Sequence, residues 1–262
     1  MARIVAISNQ KGGVGKTTMS VNLGKTLSRR GYRILMIDND PQGNLSLALA
    51  GERHPDLVAA TAGPGPANAC HLFIEGVVAT PLTIQDRLDL IGSSKHLLEI
   101  SSKPYEVVFE FREKVQAFRD HYDFIMIDCL PSGGTLQAAA HITADYLLIP
   151  THLDDFSVTG LSEQLKMANN VKRRLNHNLT FLGIVANQVS TRRILVEEHY
   201  LTRLRDAYQD HLFHTTIAKS VKVQESHALR KSAAEYHRQS RVAQNYEALT
   251  HEFLARVGVT DG

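Results

Sequence analysis

A short apolar run at residues 4–7 (IVAI) leads straight into SNQKGGVGKTT and then into a helical pattern over residues 18–30. Gly12, Gly13 and Gly15 let the backbone curl so that successive N–H groups point inward at one spot. The helix that begins there adds the positive end of its dipole. The stretch Gly12, Gly13, Val14, Gly15, Lys16, Thr17, followed by Thr18, is close to the G-x-x-x-x-G-K-[ST] form with its glycine spacing shifted. In such a loop Lys16 reaches the β- and γ-phosphates and the Thr17 hydroxyl coordinates Mg²⁺. A glycine-rich turn without a ligand is the competing reading. The agreement of strand, loop, Lys-Thr pair and helix argues against it, and ATP with Mg²⁺ is the expected ligand.

Lys11 stands before the first glycine. One nucleotide does not need a second lysine there. In its own site it would sit on the rim of the phosphate cup, so two readings are open. It is a solvated surface lysine, or it reaches across a subunit interface and neutralises charge in the transition state of a partner's nucleotide.

Further apolar runs at residues 34–37, 88–91, 124–127, 146–149 and 181–185 are rich in β-branched residues and end at polar or turn residues. Continuous apolarity implies strands covered on both faces. Helical patterns separate them at residues 105–119, with Val108, Phe111, Val115 and Phe118 on one side, and at 159–175. The expected fold is α/β: a doubly wound, mainly parallel β-sheet with helices on both faces. Ligands then collect at the C-terminal edge of the strands. The 262 residues, 43% hydrophobic and 21% charged, fit one domain over 1–262. Residues 50–81 are the least regular part, residues 50–85 are expected to be a variable region, and GPGPANA (63–69) is expected to be an exposed loop. Val242, Tyr246, Leu249, Phe253 and Val257 recur at helical spacing and predict a closing helix packed on the sheet.

The net charge of +2 is too small to imply nucleic-acid binding by itself. Cys70 and Cys129 lie in no metal-like spacing. No apolar run approaches the ~20 residues of a membrane span, and the N-terminus lacks the long apolar region of a signal peptide. A cytoplasmic protein with no membrane partner is expected.

Acids follow two of the strands. Asp38 and Asp40 end the run at 34–37, and Asp128 ends FIMI. Two acids beside a triphosphate repel it unless metal or water intervenes, so one of the first pair is expected to serve Mg²⁺ or the loop and the other a water molecule. Asp128 has the form of a carboxylate delivered by a buried strand to hold Mg²⁺ through water.

The chain resembles the ParA/MinD family of deviant Walker A P-loop ATPases, and within it the Soj-like partition branch. KGGVGKTT matches the phosphate loop, ILMIDNDPQGN (34–44) the second motif, and YDFIMIDCLPSGG (122–134) the Walker B and switch region. ADYLLIPTHLDDFSVTGL (144–161) matches the following strand and helix, and TTIAKSVKVQES (215–226) a late segment. Only residues 50–105 fall outside the resemblance. It implies that Asp40 orients the attacking water, that Asp38 has an outer role near the metal, and that Lys11 and Lys16 are catalytic. It also implies that Leu130, Pro131, Ser132 and Gly133 form a switch sensing the γ-phosphate. Leu130 stands where the family has proline, and Ala218 where it has proline near the base. By resemblance Asn187 reads the adenine; an ordinary turn asparagine is the alternative.

Lys219, Lys222, Arg230, Lys231 and Arg241 cluster late in the chain. They form a solvated helix face, or a stripe that grips phosphates without reading sequence. The partition branch implies the latter: a homodimer with ATP that binds nonspecific double-stranded DNA. A ParB-like or cargo-adaptor protein would stimulate weak intrinsic hydrolysis, and the ATP form would be nucleoid-associated. A membrane-cycling regulator like MinD is the alternative; the acidic tail VTDG lacks the basic face such a helix needs. An amidoligase-type synthetase on this scaffold would need a second substrate pocket.

Overall fold

A computed structural model describes residues 1–51, 65–192 and 194–259. Among them run seven strands: β1 (Arg3–Ile7), β2 (Ile34–Asn39), β3 (Leu82–Gln85), β4 (Leu88–Ile91), β5 (Phe124–Cys129), β6 (Tyr146–Thr151) and β7 (Thr180–Ala186). The helices are α1 (Lys16–Arg29), α2 (Asn44–Leu49), α3 (Leu97–Ser101), α4 (Val107–Ala117), α5 (Thr135–Thr143), α6 (Asp155–Arg174), α7 (Leu195–Tyr208), α8 (Val221–Ala228), α9 (Ala233–His237) and α10 (Arg241–Arg256).

The strands form one sheet in the order β3-β4-β2-β5-β1-β6-β7. All pairings are parallel except β3 with β4, which is antiparallel. Helices cover both faces, as the apolar strands require. One core joins α4, α5 and α6 to residues such as Ile4, Ile125 and Leu147. The other joins α1 and α10 to Val5, Met36 and Met126. The alternation of neighbours such as Ile4 and Val5 between the two cores is the period-2 geometry of a strand.

Six strands and the closing helix stand where the apolar patterns place them. In α10, Val242, Tyr246, Leu249 and Phe253 are buried. Gly31, with φ +93°, lies just past the end of α1, where a left-handed residue terminates a helix. β3, at the end of the region expected to vary, is a strand that the apolar patterns do not mark. One expectation is corrected. The described part of GPGPANA, residues 65–69, is buried except for Pro66 rather than an exposed loop; residues 63 and 64 lie outside the described residues. Asn68 is fully buried there and accepts a bond from Cys70 N–H, which starts a 3₁₀ turn at Ala69–Phe73. Its backbone bridges to Gly92. Turn-rich composition signals a change of direction, and here a polar side chain that satisfies the local backbone lets that change occur inside.

Candidate nucleotide site

The parallel order brings the ends of β1, β2 and β5 to one edge, and α1 rises from the loop after β1. Gly13 and Gly15 take φ of +77° and +88°, which L side chains avoid. Added Cβ atoms at Gly12 or Gly13 would meet nothing within 4 Å, so the loop is open on that side. A Cβ at Gly15 would lie 2.2 Å from the Asn187 amide nitrogen, so only glycine fits there. Gly15 caps α1 without a side-chain hydrogen bond, which leaves the first-turn N–H groups without a side-chain cap at the loop. Lys16 is buried and donates to Lys11 O at 3.1 Å. Burial lowers its pKa, against the pull of Asp128.

The acids stand in two layers. Asp38 and Asp128 are register partners on adjacent strands, and both are buried. Asp128 accepts the Thr17 hydroxyl at 2.7 Å and the Ser20 hydroxyl at 2.9 Å. Asp38 accepts the Ser46 hydroxyl and N–H at 2.6 and 2.8 Å. Burial pushes Asp38 up to about 7, with the neighbouring Asp128 charge adding to it. Burial also pushes Asp128 up to about 6, against the Thr17 and Ser20 hydroxyls. Asp40 lies just beyond β2, accepts Gln42 N–H at 2.9 Å, and its carbonyl takes the Ser93 hydroxyl at 2.5 Å. Two buried carboxylates beside the glycine loop, with the Thr17 hydroxyl bonded to one of them, fit a triphosphate carrying a divalent cation.

Lys11 pairs with Asp154 of its own chain at 2.7 Å, beyond the end of β6. Leu130 is half-buried against the core, while Pro131, Ser132 and Gly133 are exposed. Asn187 is buried and donates to Val14 O at 2.7 Å, so its amide supports the loop from beneath. It also lines a pocket of about 310 Å³ in which Ile217, Ala218, Val223 and Tyr246 meet polar neighbours such as Gln188 and Gln224, a mixed lining of the kind that receives a small ligand. Thr18 borders this pocket and an open cleft of about 780 Å³ on its other side.

The basic residues are spread over several elements. Lys219, Lys231 and Arg241 are exposed. Lys222 pairs with Glu225 at 2.9 Å and lies over the Tyr236 ring. Arg230 has φ +56° and turns its guanidinium onto Gly51, in the cleft beside Thr17. The same turn is tied to α1: Lys25 Nζ donates to Arg230 O at 2.8 Å and pairs with Glu235 at 3.1 Å, and Asn22 accepts Ala233 N–H at 2.7 Å.

Sequence reasoning missed Ser20, Ser46, Lys25 and Asp154. The spacing of Ser20 four residues after Lys16 puts it on the same side of α1 and was a usable signal. The others depend on contacts with distant segments.

Comparison with known proteins adds to this geometry. A family model described as an AAA domain matches residues 2–181. The chain is 31% identical over 271 residues to the sporulation initiation inhibitor protein Soj of Bacillus subtilis, covering 97% of this chain and 99% of that protein. It is 32% identical over 261 residues to the chromosome-partitioning ATPase Soj of Treponema pallidum, covering 98% and 99%. Among solved structures, the ATP complex of a McdA variant from Cyanothece matches with a TM-score of 0.84 at 19% identity, over 99% of this chain and 97% of that one. At that identity the match speaks to the fold alone.

Proposed function

The chain belongs to the ParA/MinD family of P-loop ATPases, and from that premise we propose that it is a partition ATPase whose two-chain, two-nucleotide state binds DNA and positions a cargo. The 1–262 chain acts as one P-loop ATPase domain. The observation that carries the reading is the joint of loop and acids: Thr17 bonded to Asp128, with Asp38 and Asp40 at the same sheet edge.

Gly12, Gly13, Val14, Gly15 and Thr18 cradle the phosphates with backbone N–H groups, and Lys16 neutralises them. Thr17 and Asp128 hold Mg²⁺, with Asp38 behind Asp128. The bound cation neutralises charge on the phosphates and orients them. Asp40 orients the attacking water. Asn187 and the pocket beside it receive the adenine. Lys11 leaves Asp154 and enters the partner's site, where its charge counts at the transition state. Leu130, Pro131, Ser132 and Gly133 respond to the γ-phosphate. Intrinsic hydrolysis is weak and a ParB-like or cargo-adaptor protein accelerates it.

Exposed Lys219, Lys231 and Arg241, with Lys222, supply the phosphate contacts to nonspecific duplex DNA, and Arg230 anchors their turn. This reading accounts for the ties from Lys25 and Asn22, which link that turn to the helix of the phosphate loop. The ATP form is therefore nucleoid-associated. Among the described residues no helix is long and apolar enough to cross a membrane. Co-sedimentation with nonspecific duplex DNA at low salt tests the DNA arm. ATP-dependent pelleting that weakens steeply with salt is expected; equal pelleting with and without ATP would refute it.

A further inference from the structure

We propose that Asn39 is a positioning residue for hydrolysis, coupling the peptide that carries Asp40 to the first turn of α5 and so to the switch segment. The inference rests on the reading of Asp40 as the water-orienting acid.

Asn39 ends β2 between Asp38 and Asp40 and is fully buried. Strand alternation sends its side chain to the face opposite Asp38, where α5 packs. There its Nδ2 donates to Leu136 O at 2.7 Å. Leu136 is the second residue of α5, whose N-cap Gly134 has φ +105° and no side-chain bond. Residues 131–134 just before it are exposed. The first turn of α5 therefore follows the switch segment, and Asn39 grips that turn from the strand.

On the other side, Asp40 is fixed by bonds close to it. Its N–H donates to Asp38 at 3.3 Å and its carbonyl accepts from Ser93. Asn39 joins this group to α5 through its bond to Leu136 O. A displacement of the α5 turn thus reaches the Asp40 peptide through that side chain.

Two acceptors at this joint lack a donor. Asn39 Oδ1 and Gln137 Oε1 are buried with no hydrogen-bond partner. The nitrogen of Gln137 is taken up by Ser8 at 2.9 Å. A Cβ on Gly133 would lie 4.0 Å from Gln137 Oε1, so that oxygen faces the switch backbone. A buried amide oxygen without a donor costs more than the single Nδ2 bond returns. Stability alone therefore does not explain an asparagine at this core position. Closure of the switch segment brings backbone N–H groups to Gln137 Oε1, and Asn39 carries that movement to Asp40.

The test is Asn39→Leu in the full chain, read by steady-state ATP hydrolysis, affinity for a fluorescent ATP analogue, and thermal melting. Asn39→Ala, in the same assays, covers the case in which leucine does not fit. The expected result is an unchanged or higher Tm, unchanged nucleotide affinity and KM, and kcat lower by roughly tenfold to a hundredfold. A fall in kcat that tracks a fall in Tm or in affinity would make Asn39 merely structural and overturn the proposal. Asp40→Ala is measured beside it. Wild-type kcat in Asn39→Leu with an inactive Asp40→Ala overturns the coupling alone. Wild-type turnover in both overturns the reading of Asp40, and the coupling with it.

Discussion

Thr17 Oγ1 donates to Asp128 Oδ2 at 2.7 Å, joining the first turn of α1 to the end of β5. A hydroxyl and a carboxylate held this way need only a small opening to share a divalent cation. Thr17→Ala is expected to fold normally and to lose the Mg²⁺-dependent part of its nucleotide affinity, by about tenfold or more. Thr17→Ser keeps it. Titration of nucleotide with Mg²⁺ and with chelator checks this; an unchanged Mg²⁺ dependence in Thr17→Ala would place the cation elsewhere.

Lys11 and Asp154 pair at 2.7 Å with side chains 33% and 41% exposed. An ion pair that open to water is worth about 0–1 kcal/mol. It is weak enough for Lys11 to exchange Asp154 for a phosphate across an interface. Asp154→Ala removes the competitor, so half-maximal dimerisation should occur at lower ATP concentration. If Asp154→Ala instead dimerises less readily than the wild type, the pair is not a brake on Lys11.

His141 on α5 is fully buried with neither ring nitrogen bonded, and burial lowers its pKa to about 4. The unfolded chain takes up a proton near the ordinary value of 6.5, before the folded one does. Below that pH the unfolded state binds more protons, so stability falls as pH drops from 6.5 toward 4. The loss attributable to this ring is on the order of 3 kcal/mol by pH 4. His141→Leu should therefore unfold at higher urea than the wild type near pH 4.5, with the difference shrinking by pH 8. Parallel acid-side curves for the two proteins would rule out His141 as the source.

The phosphate loop and the three acids were legible in the sequence because each is a short contiguous signal at the end of an apolar strand. β3 was not, because its one partner is β4 and its side chains are half-exposed, which leaves no continuous apolar run. Asn68 was hidden by the glycines and prolines around it, since composition does not tell whether a turn faces water or core. Asp154 lies 143 positions from Lys11, and Ser46 meets Asp38 only because α2 folds back over β2. Such partners are set by packing between segments, and no local pattern announces them. The late basic residues were legible as a cluster, but not that Arg230 turns into the cleft through a left-handed backbone.

The central claim is that the working unit is two chains around two nucleotides. Light scattering on a sizing column, with the Asp40→Ala protein and excess ATP with Mg²⁺, tests it most directly, because that variant is expected to bind without turning over. The predicted result is a species of twice the 29.1 kDa chain mass that returns to one chain with ADP and that fails to form when Lys11 is also replaced by alanine. A single-chain mass at saturating ATP, or a dimer indifferent to both nucleotide and Lys11, would contradict it.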